Sequence, residues 1–248
     1  MTISQLRGSA RPLGASIQTY ARIAGALFLV SIVAGGFGES YAPSQLIVAG
    51  NANATAQNLI AHDLLYRLGF LAYLTEAVCD VALTFLLYVL LRPIHAPLAF
   101  LAVLFRMMAT TTFAFAELFY FIPSLLVGGD AYLKTFSPDQ LNTLALLSLN
   151  IYETGGFLFV LFYGIGSIIL GSLMMRSGYL PWILGALLAL GGLGFVIRNV
   201  LVVLAPAYAS IFLVLPTILT LLLLGFWLLI RGVNVEKWNE REAAAAHI

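Results

Sequence analysis

The chain has 248 residues, of which 61% are hydrophobic and only 9% charged. Soluble domains carry about 25% charged residues and about 45–50% apolar ones, so 12 basic and 11 acidic side chains cannot coat a water-soluble particle of this size. That excludes a soluble enzyme domain and a disordered chain, and a net charge of +1 provides no basic footprint for nucleic acid. One cysteine, Cys79, rules out an internal disulfide and a cysteine-based zinc site. What remains is an integral membrane protein, with the lipid bilayer as its first partner.

A transmembrane helix needs about 20 mostly apolar residues. Six runs qualify: Tyr20–Glu39, Arg67–Leu91, Pro97–Ile122, Ile151–Met175, Leu180–Leu204 and Tyr208–Ile230. The expected fold is all-α, an integral membrane bundle of six transmembrane helices over residues 20–231. A cytoplasmic segment, 1–19, precedes it and a cytoplasmic tail, 232–248, follows. An even number of spans puts both ends on one side. That side carries Arg7, Arg11, Arg22, Arg92, Arg176, Arg231, Lys237 and Arg241, whereas the other carries only Arg67 and Lys134. The positive-inside rule therefore sets both termini in the cytoplasm.

A cleaved signal peptide competes for the first run, with Arg7 and Arg11 as its basic flank and Ala34-Gly35-Gly36 near a cut site. The Ala24–Gly38 stretch reads better as a retained anchor. Tyr179, Trp182 and Trp227 fall near the cytoplasmic interface, and Tyr41, Tyr66, Tyr120, Tyr132 and Tyr208 near the outer one, where amphipathic rings settle. Short turns at Arg92–Ala96 and Ser177–Tyr179 make spans two and three, and four and five, antiparallel neighbours.

Two external segments carry their own signals. Ser137-Pro138-Asp139-Gln140 is a capping box with proline at the first helical position, so a helix starts there. Continued to Arg176 it is roughly 58 Å long at 1.5 Å per residue, well beyond a bilayer of about 30 Å. Pro138–Asn150 is thus expected outside the membrane or along its surface, with a bend at Gly155-Gly156. Thr55–Tyr66 similarly predicts a short amphipathic helix before span two. Pro216 predicts a kink in span six, and Val235–Ile248 a solvated helical end.

Charges in hydrocarbon are costly unless paired or wetted, so they mark candidate sites. Glu76 and Asp80 share one face of span two; Arg106 and Glu117 lie in span three, Asn150 and Glu153 open span four, and Arg198-Asn199 lie in span five. Counted from the span ends, Asp80 and Arg106 both sit roughly 15 Å deep, which predicts a structural ion pair. Towards the outside, Glu39, Glu76, Glu117 and Glu153 outnumber Arg198. An unrelieved surplus of carboxylates cannot be buried dry. The expectation is an outward-facing polar vestibule whose binding residues are Glu76, Glu117, Glu153, Arg198, Asn199 and Asn150. No catalytic residue, metal site or cofactor is expected. His62, His95 and His247 are never one helical turn apart, and no nucleophile or phosphate-loop motif occurs.

Several stretches carry a family resemblance. Cys79-Asp80-Val81-Ala82-Leu83 through Leu90-Leu91-Arg92-Pro93, Phe136 to Leu141, Arg176-Ser177-Gly178-Tyr179-Leu180-Pro181 and Trp227 to Val233 resemble a bacterial family of multi-pass membrane proteins, the domain of unknown function 4386. The resemblance runs from roughly Tyr20 to Asn234. It implies a six-span fold in the bacterial inner (plasma) membrane, transfers Asp80, Arg92, Arg106 and the Arg176–Pro181 turn as motif residues, and implies no activity. The chain departs from the pattern at Gly164-Ile165-Gly166-Ser167, where members often carry histidine, and near Leu221, where they carry an acidic residue.

Three function classes fit this sequence. The first is a non-enzymatic envelope or partner-binding membrane protein. The second is a small transporter or channel for a cation, a proton-coupled solute or another polar solute. The third is an intramembrane enzyme acting on lipid, with Glu76 or Glu117 as base. Partners beyond the bilayer are a small polar ligand, a lipid head group, another protein or a second copy of the chain.

Overall fold

The computed structural model describes residues 14–127 and 131–246. Arg7, Arg11 and His247 lie outside the described residues, as does the side chain of Tyr132. Among the described residues all regular structure is helical. The helices are α1 (Gly14–Gly35), α2 (Ala42–Leu46), α3 (Ala52–Ala61), α4 (Asp63–Leu91), α5 (Ala96–Leu126), α6 (Pro138–Ser177), α7 (Trp182–Leu204), α8 (Leu215–Ile230) and α9 (Val235–Ala245). A π-helical turn, Gly36–Tyr41, joins α1 to α2.

Five helical stretches are long and apolar enough to cross a membrane: Ile17–Leu46, Asp63–Leu91, Ala96–Leu126, Pro138–Ser177 and Trp182–Leu204. The 16-residue α8 reaches that length only together with α9, across a bend of 97°. Three boundaries differ from expectation. The sixth apolar run is broken by short turns at Pro206–Tyr208 and Ile211–Leu213, so Pro216 falls in the first turn of α8, where its missing N–H costs nothing. The first span continues past Glu39 through the π-helical turn. The 40-residue α6 runs unbroken through Gly155-Gly156. Gly155 serves close packing instead: a Cβ there would lie 2.8 Å from the Cβ of Ala116.

Six helices close into a ring in the order α1, α4, α5, α6, α7, α8, and back to α1. Lipid offers no hydrophobic force between helices, so close van der Waals approach through small residues must supply the packing. Here α6 and α7 meet glycine to glycine. A Cβ on Gly171 would lie 2.5 Å from the Gly185 carbonyl oxygen, and one on Gly164 2.8 Å from that of Gly192. Gly25 of α1 meets the α8 backbone: a Cβ there would lie 2.7 Å from the Gly225 oxygen. Gly171→Val is expected to force α6 and α7 apart and destabilise the bundle by about 1–3 kcal/mol. Gly156→Ala, with nothing within 4 Å of its new Cβ, should not lower the unfolding midpoint in denaturing detergent and is expected to stabilise the helix by about 0.5–1 kcal/mol.

The two ends of the ring differ. The near end, which holds the start of α1 and the end of α8, is filled by leucines 83, 87, 90, 91, 173, 224 and 228 with Ile17 and Met174. After Gly232, held at φ +69°, Asn234 caps α9, which folds back over this end. Trp238 is fully buried, and its Nε1 donates to the Leu90 carbonyl at 3.1 Å. The same carbonyl accepts the Tyr179 hydroxyl at 2.7 Å; burial pushes that phenol's pKa upward, which keeps it a donor. Arg92 pairs with Glu242 at 2.7 Å, and Gln18 bridges to the Arg231 carbonyl and the Val233 N–H. The tail expected to be solvated is thus docked, because its tryptophan fills the gap left at the end of α4.

At the far end, α3 lies against the start of α6. The capping box forms there, with the Ser137 hydroxyl accepting from Gln140 N and Gln140 Oε1 accepting from Ser137 N. Asn53 links both elements, donating to Asp139 at 3.2 Å and accepting from Asn142 at 2.8 Å.

Candidate functional site

Asp80 of α4 and Arg106 of α5 are 5% and 3% exposed, at the level where α4, α5 and α6 converge. One Arg106 Nη lies 3.4 Å from Asp80 Oδ1, and its Nε donates to the Thr84 hydroxyl at 3.1 Å. That hydroxyl donates in turn to the Asp80 backbone carbonyl at 2.7 Å. On the other side the guanidinium stacks 4.6 Å from the centre of the Tyr163 ring, a cation–π contact that gains strength where water is excluded. Gly166 makes room for the arginine stem, since a Cβ there would lie 3.1 Å from Arg106 Cγ. Every face of this cation is therefore occupied by the protein.

Beside this pair the ring is not filled. A cavity of about 270 Å³ separates α1 from α6 and α7. Its buried floor is formed by Phe28, Ser31, Asp80 and Tyr163, and its walls by Glu76, Phe159, Phe195 and Leu221. Its mouth lies between the π-helical turn and the first turns of α8, where Gly36, Glu39, Ser40 and Ile218 are exposed.

Backbone geometry shapes this mouth. A π-helical turn widens a helix by one residue and recurs at functional sites; this one leaves Glu39 and Ser40 together on the rim. Gly35 has no side chain because the Glu76 carboxyl lies over it, 2.7 Å from where a Cβ would stand. Gly36 has open space there. The Glu39 and Glu76 carboxyls are in hydrogen-bond contact, while Glu76 Oε2 is closed off from water without a hydrogen-bond partner.

The residues singled out from sequence divide sharply. Glu76 lines the cavity and Asp80 forms its floor. Glu117 is fully buried, with no hydrogen-bond partner on either carboxyl oxygen; it lies within electrostatic reach of Glu39 and Glu76 without lining the cavity. Asn199 donates to the Phe157 carbonyl and ties α7 to α6. Arg198 is half-buried and lies outside the cavity.

Asn150 and Glu153 are exposed on α6 and do not join the cluster. Depth alone suggested them, but at 100° per residue Glu153 is turned roughly 120°, and Asn150 roughly 180°, from the cavity-facing Phe159. The sequence reading missed Ser31, Gly35, Gly36 and the four rings Phe28, Phe159, Tyr163 and Phe195. The glycines and Glu39 had a visible signal in Gly35-Gly36-Phe37-Gly38-Glu39; the rings had none in a chain with 12% aromatic residues.

Towards the far end, a tyrosine cluster packs beyond the cavity. The Tyr152 and Tyr73 hydroxyls are 2.5 Å apart; the rings of Tyr66 and Tyr120 stack at 4.9 Å between centres, and Tyr73, Tyr120 and Tyr152 meet edge to face at 5.0–5.5 Å. The Tyr66 hydroxyl donates to the Tyr120 carbonyl. Among the described residues, no group of three or more His, Cys, Asp or Glu is arranged to hold a metal ion.

No curated protein and no solved structure matches this chain. The family described as Domain of unknown function (DUF4386) matches residues 23–232, which take in nearly the whole helical ring and every residue that lines the cavity. The chain belongs to this family.

Proposed function

We propose that this protein is a non-enzymatic, six-span protein of the bacterial inner membrane, with both termini in the cytoplasm, that binds a small polar solute in its central cavity and carries it across. The observation that carries this reading is the cavity itself, a space at membrane depth with carboxyls in its lining and an open mouth. Ionisable groups are kept inside membranes for function more often than for stability. A closed near end and an open far end suit one state of an alternating-access cycle.

The orientation is supported by charge. Arg92, Arg176, Arg231, Lys237 and Arg241 gather at the near end, against Arg67 and Lys134 at the far end. On that orientation the mouth faces outward, and α3 and the first turns of α6 are the short external helices. The non-enzymatic part rests on the lining, most of which is hydrocarbon and aromatic ring suited to holding a solute. The partner-binding alternative has one observation in its favour, the exposed far-end platform where Asn53 ties α3 to α6. A stable co-purifying protein that crosslinks at Asn142 would favour it.

The test is native mass spectrometry of protein released gently from membrane. Wild type is expected to carry a discrete small adduct that Glu76→Leu loses while its thermal stability stays within a few degrees. Bare spectra for both proteins, or an adduct untouched by the substitution, would overturn the reading.

A further inference from the structure

We infer that the ligand of the cavity carries an ammonium group, held between the Glu39 and Glu76 carboxyls and the rings of Phe28, Phe159 and Phe195. This inference rests on the solute-binding reading above and names the chemical class of the solute.

The lining selects by charge. Two carboxyls reach the cavity with no protein cation to answer them, since Arg106 is committed to Asp80, Thr84 and Tyr163. Glu76 lines the cavity, and its Oε2, packed over Gly35 and shut off from water, has no hydrogen-bond partner in the protein, a deficit that an N–H⁺ donor or a cationic methyl group brought against this carboxyl would relieve. An anion would meet those carboxyls with no basic group to hold it. A sugar or other polyol needs several convergent donors and acceptors, and most of this lining is hydrocarbon and aromatic ring. A bare divalent cation wants six to eight oxygens for calcium or an octahedral shell for magnesium, more than the site presents.

The aromatic rings add the second half of the recognition. A cation over an aromatic face is attracted by the ring quadrupole, most strongly where water is absent. Phe28 and Phe195 are both buried, and with Phe159 they give the same cavity an apolar, electron-rich lining beside the acids. The volume of about 270 Å³ falls just under the ~300–1,000 Å³ of typical ligand pockets. It suits a small organic amine, or the ethanolamine head group of a lipid whose chains stay outside.

Calorimetry on the purified full chain tests this with benzyltrimethylammonium as the probe and benzyl alcohol and benzoate as its neutral and anionic counterparts. Wild type is expected to bind the ammonium at least about tenfold more tightly than either counterpart. Glu76→Gln should abolish that preference. Phe195→Leu, which keeps the apolar volume, should weaken the ammonium alone. Equal binding of benzyl alcohol and the ammonium, or no binding of the ammonium, would overturn the inference; the solute-binding reading would still stand or fall on its own adduct measurement. Native mass spectra separate the two sources of the group. Retention of phosphatidylethanolamine over phosphatidylglycerol, lost in Glu76→Gln, assigns the ammonium to a lipid head group. Probe binding without such retention assigns it to a free amine.

Discussion

Arg106→Leu is expected to be among the most damaging single substitutions in the bundle, destabilising it by about 3–5 kcal/mol. The cost lies in what is left behind. Asp80 is 5% exposed and would face the protein interior with Ser31 as its remaining side-chain partner, and an uncompensated charge in a low-dielectric interior is far costlier than the pair it came from. The Thr84 hydroxyl would lose its donor and Tyr163 its stacked cation. Asp80→Asn should cost less, because the amide still accepts from the guanidinium. Combining Asp80→Asn with Arg106→Leu should recover part of the loss of the arginine variant, the non-additivity expected of partners in contact. Unfolding midpoints in denaturing detergent measure all three. A loss below about 1 kcal/mol for Arg106→Leu would mean that cavity water reaches the Asp80 carboxyl and solvates it once the guanidinium is gone.

Trp238→Ala should cost a comparable amount, about 3–5 kcal/mol for a fully buried tryptophan, but through a different route. Trp238 is the only buried residue of α9, so its loss releases the helix as a unit. Without it, the Arg92–Glu242 bridge, whose side chains are 40% and 27% exposed, is too wet to hold α9 alone. Limited proteolysis should then cut near Asn234, a site protected in wild type. Trp238→Phe, which keeps the ring and drops the N–H donor, is expected to lose only about 0.5–1.5 kcal/mol, since the Leu90 carbonyl retains the Tyr179 hydroxyl. An alanine variant that resists protease as wild type does would show that α9 is held by something other than this side chain.

Some of this architecture follows from local rules and is visible in the sequence. Apolar runs of about 20 residues mark membrane helices whatever surrounds them, because transfer into hydrocarbon is close to a sum over residues. The capping box at Ser137 and Gln140 is equally local, being satisfied within one turn. The common depth of Asp80 and Arg106 came from counting along two helices joined by a short turn, and α4 and α5 bring the two side chains to 3.4 Å.

Azimuth is another matter. Which side of α6 faces inward depends on where α5 and α7 pack, so Asn150 and Glu153 share a depth with the acidic groups and none of their surroundings. The break before Leu215, the straight run through Gly155-Gly156 and the docking of Trp238 on Leu90 likewise depend on partners far away in the chain. The sequence by itself determined the class of protein, its helices and the residues costly enough to need a reason. Only the tertiary structure decided which of them face one space, because a cavity belongs to the ring that encloses it: glycine contacts draw α6 against α7 and α1 against α8, and Glu39, Glu76 and Asp80 line the gap left between them.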